Sequence, residues 1–290
     1  MSALAERAAR PYIVGPDLSD AVRASRSLDA RGFRSTIGFW NRVEDPPAEI
    51  AARYLSAIDA IRTERIDGRL SVKAPPLQFS RDLFGRIVER ARDRDVGIQF
   101  DSLWPESTDE TFSLLAELVR THANLGCTLP GRWRRSPADA DRAIDLGLSV
   151  RIVKGQWPDS QGPPIDPRAG FLAIVDRLAG RVRHASVATH DVDLAQEALA
   201  RLRAAGTPCE LELLYGLPLR NAIAAARKES VPVRVYLPYG HGFLPYAMEQ
   251  LKNHPRLALQ ILRVWFEPRR SVFDLPPLKP RPAARMSAPR

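Results

Sequence analysis

The chain has 290 residues, 44% of them apolar and 27% charged, enough for a sizeable core and ordinary for a soluble globular fold. Its longest apolar runs are too short to span a bilayer, and the N-terminal "MSALAERAARPYIVG" lacks the apolar centre of a secretory signal. A cytoplasmic protein with at most peripheral membrane contact is therefore expected. The net charge of +9 comes from arginines scattered over most helix patterns, without a basic stripe interleaved with aromatics, which argues against a nucleic-acid partner.

The first element is a helix pattern, "DLSDAVRASRSLDARG" (17–32). Strand-like runs follow at "RSTIGFW" (34–40), "RLSVKA" (69–74), "VGIQFDS" (96–102) and "NLGCTL" (124–129). A helix with Ser136 as N-cap, Pro137 in its first turn and Gly147 at its end leads to the strand "SVRIVKG" (149–155). Asp166, Pro167 and Gly180 punctuate the next helix in the same way, before "HASVATH" (184–190). A helix from Asp191 to Gly206 carries Leu194, Ala198, Leu199 and Leu202 on one face. The strands "CELELLYG" (209–216) and "VRVYLPYG" (233–240) come next, then a last helix from about Pro245 to Phe266 with a break near Pro255.

Eight apolar, β-branched strands alternating with helices predict an α/β fold, a (β/α)8 barrel of TIM type with an extra N-terminal helix. No G-x-G-x-x-G loop follows the first strand, which weighs against an open dinucleotide-binding sheet. The barrel is expected to occupy residues 1–274. The Pro- and Arg-rich tail 275–290, with no apolar periodicity, is expected to be disordered. Cys127 and Cys209 lack metal-ligand spacing and read as reduced core thiols. His122, on a helix pattern, and His254, beside Pro255, read as surface residues, and no histidine pair has metal-ligand spacing, so no metal is expected.

Active-site groups of such barrels cluster at the C-terminal strand ends. Polar groups stand there on most strands: Lys73, Asp101, Arg151 with Lys154, Thr189 with His190, Glu210 with Glu212, then Tyr215, Tyr236 and Tyr239. Plain structural roles compete. Lys73 and Asp101 would suit one internal ion pair, His190 a helix cap beside Asp191, and Tyr236 a core aromatic with a bonded hydroxyl. Arg151 is the sharpest case, a cation inside an apolar strand for which the fold alone offers no reason.

Four segments in order, "VRIVKG", "VATHD", "CELELLYGLP" and "VRVYLPYG" followed ten residues after Tyr236 by Tyr246, resemble the fifth to eighth strand motifs of the proline dehydrogenase family. "LSVKAP" and "YIVGPDLSDAVRASRSLDARGFRSTIG" fit as well, and the resemblance covers roughly residues 11 to 265. It implies a barrel that binds FAD and oxidises the C–N bond of a proline-like amine to an imine, passing electrons to a quinone or another acceptor. By the same resemblance Arg151 lies near the reactive edge of the flavin, and the backbone of Val153 and Gly155 runs along it. Thr189 and His190 hold the adenylate end, and Leu214 packs on the reaction side. Lys73, Asp101 and Tyr236 form the floor of the substrate pocket, with Tyr246 beside it.

The departures concern the pocket wall. Where the family carries two arginines that grip the substrate carboxylate, this chain has Glu249 and Gln250, and Asn253 replaces a glutamate. Pro130 stands in place of a flavin-contacting glutamine, and Gln156, Trp157 and Pro158 follow Gly155. Free L-proline is therefore not the expected substrate. Two other readings stay open: true proline oxidation with Arg132, Arg134 or Lys252 as the anion contact, and a barrel without FAD that serves as a binding or scaffold protein or works without a cofactor.

Overall fold

The computed structural model describes residues 13–159 and 162–241. Its centre is a closed barrel of eight parallel strands: β1 (Arg34–Trp40), β2 (Gly68–Val72), β3 (Gly97–Phe100), β4 (Leu125–Pro130), β5 (Ser149–Val153), β6 (Ala185–Ala188), β7 (Cys209–Leu214) and β8 (Val233–Gly240). They neighbour each other in chain order, and β8 closes onto β1 with Thr36 opposite Tyr236. Helix α1 (Leu18–Asp29) precedes β1. Helices α2 (Pro47–Thr63), α3 (Arg81–Asp93), α4 (Thr108–Leu118), α5 (Ser136–Asp145), α6 (Pro167–Leu178), α7 (Val192–Ala204) and α8 (Arg220–Lys228) fill the seven crossovers. The helix expected over 245–266 and the tail 275–290 lie outside the described residues, as does His254.

Two sets of strand residues face opposite ways, as the pleat requires. Ile37, Leu70, Val72, Ile98, Phe100, Leu129, Val150, Ile152, Val187, Leu211, Leu213 and Val235 are all buried in the apolar core with residues of the surrounding helices. The alternate set fills the barrel and is polar: Thr36, Ser71, Gln99, Thr128, Arg151, Ser186, Glu210, Glu212 and Arg234 are buried there. A barrel interior is more often filled with branched apolar side chains. Here the buried charges must pair inside it.

The helix starts follow the sequence signals with one exception. Asp166 and Asp191 cap α6 and α7, accepting backbone N–H groups of Arg168 and Leu194. Ser136, expected as an N-cap, is instead the first residue of α5, with Arg135 in the cap position, because its hydroxyl donates to the Pro130 carbonyl at the end of β4 (2.7 Å). His122 lies beyond the end of α4 and is buried rather than on the surface. Its Nε2–H donates to the Val96 carbonyl (2.9 Å), which ties the turn before β4 to the one before β3. Cys127 and Cys209 are buried and unpaired.

The strands stop earlier than their apolar runs imply. β2 ends at Val72, β3 at Phe100, β5 at Val153 and β6 at Ala188. Lys73, Asp101, Lys154, Gly155, Thr189 and His190 all fall just past a ladder end, at the C-terminal mouth.

Candidate active site at the C-terminal mouth

β5 carries Arg151 between two outward apolar residues, so its side chain enters the barrel and is 5% exposed. Its Nε–H donates to Glu212 Oε2 on β7 (2.9 Å), and Nη1–H donates to Asp101 Oδ1 beyond β3 (2.5 Å). The Thr36 hydroxyl on β1 donates to the other Glu212 oxygen (2.8 Å). Thus side chains from β1, β5, β7 and the residue just past β3 meet across the barrel. The expectation that the fold gives no reason for Arg151 is corrected here: it is the counter-ion of two carboxylates.

Asp101 gathers the rest of the floor. It accepts the Ser71 hydroxyl (2.7 Å) and the Tyr236 hydroxyl (3.1 Å), and Lys73 Nζ stands 3.9 Å from it while donating to the Phe39 carbonyl (3.1 Å). The Tyr236 ring also lies 5.2 Å from the Arg151 guanidinium carbon, within cation–π range. Gly38 makes room for this ring: a Cβ built there would come 2.2 Å from the Tyr236 hydroxyl oxygen. The structure therefore brings Lys73, Asp101, Arg151 and Tyr236 together. It gives Glu212, singled out in the sequence only as a polar strand residue, a defined place, and adds Ser71, Thr36 and Gly38, to which the sequence assigned no role in the site. The available signal was period two: Ser71 with Lys73, and Arg234 with Tyr236, must share a face, and Glu210 with Glu212 likewise.

Electrostatics fix the proton states. Burial alone would lower the Arg151 pKa, but the Glu212 and Asp101 carboxylates outweigh it and leave the guanidinium more basic than usual. Tyr236 is pushed well above its ordinary value, first by burial and then by the Asp101 charge, so it is a neutral hydroxyl donor at physiological pH. Burial pulls Lys73 down, and Arg151 adds to this while Asp101 opposes it.

Three buried donors near this mouth have no hydrogen-bond partner among the described residues: Arg151 Nη2, Arg132 Nε and Gln156 Nε2. An unmade bond on a buried donor is costly, so such groups point to an absent acceptor. Arg132 follows β4, and its Nη1–H donates to the Gln156 carbonyl (2.9 Å) beyond β5. An acceptor-rich planar group with ring carbonyls and nitrogens, such as a flavin, fits this donor set. Gly155 has a reason internal to the protein: its φ is +90°, and a Cβ there would meet Pro130 Cβ at 2.6 Å. Pro130 itself is the last residue of β4, opposite Val153.

On the far side of the mouth, His190 is fully engaged. Leu214 N–H donates to its Nε2 (2.9 Å), so Nδ1 carries the proton and donates to the Pro218 carbonyl (3.1 Å). Burial lowers its pKa. It staples the end of β7 to the turn beyond, rather than capping α7, which Asp191 does. The Thr189 hydroxyl oxygen accepts the Asp191 N–H (3.2 Å), and Lys154 Nζ donates to Asp191 (2.8 Å). Arg134 is exposed, its backbone N–H bonded to Asp159 (2.8 Å). Tyr246, Glu249, Gln250, Lys252 and Asn253 lie outside the described residues.

No family model matches the chain. Curated proteins do, over most of their length and of its own. Proline dehydrogenase 1 of Bacillus subtilis subsp. natto is 26% identical over 272 residues, covering 88% of this chain and 89% of the relative. Proline dehydrogenase of Deinococcus radiodurans is 25% identical over 283 residues, covering 90% and 89%. The chain is similar, at low identity, to these proline dehydrogenases over most of its length. Among solved structures, proline utilization A from Bdellovibrio bacteriovorus superposes with a TM-score of 0.75 at 15% identity, and that from Corynebacterium freiburgense with 0.69 at 17%. These two likenesses show the shared fold. They cover 94% and 90% of this chain but only 35% and 32% of the larger proteins, so the chain spans about a third of each.

Proposed function

We propose that the chain is an FAD-dependent amine oxidoreductase that converts a C–N bond to an imine, acting on a proline-like or other amine rather than on free L-proline. The observation that carries this is Arg151, a buried guanidinium held by Asp101 and Glu212 with Nη2 left without a partner among the described residues. The relationship to proline dehydrogenases supplies the chemistry. A flavin bound there would supply two-electron, hydride-accepting chemistry at the carbon next to the amine nitrogen, with the electrons passed on to an acceptor of the quinone class and the amine N–H proton lost to solvent as the C=N bond forms.

The chain's own residues orient and polarise. Arg151 presents a fixed cation to an acceptor atom, at no reorganisation cost because both carboxylates already hold it. Tyr236, neutral and anchored on Asp101, closes one wall, and Lys73 stands beside the same carboxylate. His190 holds the backbone at Leu214 in place. Thr189 and the backbone of Val153 and Gly155 are the further proposed cofactor contacts, and Tyr246 a proposed substrate contact. Glu249 and Gln250, where the resembling family has its arginine pair, disfavour a substrate carboxylate.

The test is anaerobic. Protein purified with FAD is mixed with proline, proline esters and amides and other secondary amines, and flavin absorbance is followed. Bleaching by an uncharged or cationic amine, with little response to L-proline, is expected. Rapid bleaching by L-proline supports the second reading, in which Arg132, with its buried unpartnered Nε, grips the carboxylate. A protein that takes up no flavin ends both.

A further inference from the structure

At the mouth, four ionisable side chains of known sign meet: Arg151, Lys73, Asp101 and Glu212. With Lys73 protonated, two cations face two carboxylates. Asp101 alone would pair Arg151, and Glu212 is a second full charge on the same guanidinium, 2.9 Å from Nε. Nothing in the hydrogen bonding requires that charge. A neutral amide of the same shape would accept from Arg151 Nε–H and donate to the Thr36 hydroxyl oxygen. In the lower cluster, Arg34 and Arg69 are partly exposed toward the other end of the barrel, where Asp67 lies 3.6 Å from Arg34, and buried Arg234, although it feels the Glu212 charge, is bonded to Glu210 (2.7 Å); within ion-pair distance, Arg151 is the cation that Glu212 holds.

We infer that Glu212 is a specificity-determining residue: by cancelling the charge of Arg151 it leaves the floor formed by Arg151, Lys73, Asp101 and Glu212 without surplus positive charge and so favours amines lacking a carboxylate. This rests on the amine-oxidoreductase reading above, and it assigns part of the selectivity to a described residue in the barrel rather than to Glu249. One unscreened unit charge in a low-dielectric pocket alters the binding of an ion on the order of tenfold or more.

The experiment compares L-proline with L-prolinamide, which differ in the carboxylate. Dissociation constants for both are measured on FAD-loaded wild type, Glu212→Gln and Glu212→Asp, with the flavin midpoint potential as a second readout. Glu212→Gln should raise the preference for proline over prolinamide at least about tenfold and move the potential upward. Glu212→Asp, which keeps the charge, should retain the wild-type preference. An unchanged ratio in folded Glu212→Gln, or equal weakening of both ligands, overturns the inference and leaves Glu212 a structural brace. Wild type binding proline more tightly than prolinamide overturns it even if the amide variant does not fold. If no flavin is taken up, the amine-oxidoreductase reading fails by itself. The charge claim is then read from thermal stabilisation of the flavin-free protein by the same two ligands.

Discussion

The barrel holds a buried charge network at each end, and the two are built in opposite senses. Toward the N-terminal end a single carboxylate, Glu210, is 0% exposed and collects guanidiniums: Arg234 Nε at 2.7 Å, Arg34 Nη1 at 3.0 Å and Arg69 Nη2 at 3.3 Å, with the Ser186 hydroxyl at 2.9 Å. Toward the C-terminal end a single guanidinium, Arg151, collects carboxylates. Glu210 has its oxygens saturated, and the excess of cations holds its pKa well below the usual range against the opposing effect of burial. Arg151 keeps one nitrogen without a partner among the described residues, beside Tyr236 and a partly exposed Lys73. Buried charge in this barrel is therefore not by itself the mark of a site. Buried nitrogens without a hydrogen-bond partner among the described residues occur at both ends, Arg34 Nε and His184 Nδ1 included, so what sets the C-terminal end apart is that its spare guanidinium nitrogen sits at the open mouth beside Lys73 and Tyr236.

The sharpest way to break this contrast is to remove the saturated carboxylate. Glu210→Ala leaves three guanidiniums around an empty place and should cost about 3–5 kcal/mol of stability in urea unfolding, without changing ligand preference at the mouth. A small loss would mean that solvent already reaches this cluster. Arg151→Met strands Asp101, which is partly exposed, and the buried Glu212. A loss of about 3 kcal/mol is expected, together with abolition of amine-driven flavin reduction. Normal reduction by this variant would remove Arg151 from the proposed chemistry.

The histidines sharpen the comparison through pH. His184, near Glu210 but with Nδ1 buried and unpartnered, has its pKa lowered to about 4, chiefly by burial and also by the neighbouring arginines, against the pull of Glu210. His190 is lowered by burial as well. A folded-state pKa below the unfolded value means that the unfolded chain binds more protons. The stabilisation is thus complete above about pH 6.5 and is lost as pH falls toward about 4. Unfolding free energy should drop by about 3 kcal/mol across that window, and His184→Asn should flatten most of the slope. A slope of the opposite sign would mean that His184 is charged in the fold. At the small end, the exposed pair Arg81–Glu117 should be dispensable, and Arg81→Ala should leave the urea midpoint where it is.

The barrel was legible because its outward strand faces are continuous β-branched and apolar runs, as in "SVRIV" and "VRVYL", and because Asp166, Asp191 and the glycines mark the helix ends. Strand ends were less legible. Lys73, Asp101 and His190 continue an apolar run in sequence but leave the ladder in space. The site was legible in part. Arg151, Lys73, Asp101 and Tyr236 stood out as polar groups at strand ends, whereas Gly38 acts only by what it lacks and Glu212 acquires its role from strands that meet across the barrel. Pairing between β3, β5 and β7 is invisible to local pattern, which is why Arg151 looked unexplained. His122 misled because its burial depends on a carbonyl of a different turn, at Val96.

The most direct test of the account is titration of FAD into flavin-free protein, followed by flavin fluorescence, in wild type and Arg151→Lys. The variant keeps a cation between Asp101 and Glu212 but replaces the fork that leaves Nη2 to spare. The account predicts saturable binding of one flavin by wild type and at least about tenfold weaker binding by the folded variant, as loss of a charged hydrogen bond implies. No saturable binding by wild type, or equal binding by both proteins, would contradict it.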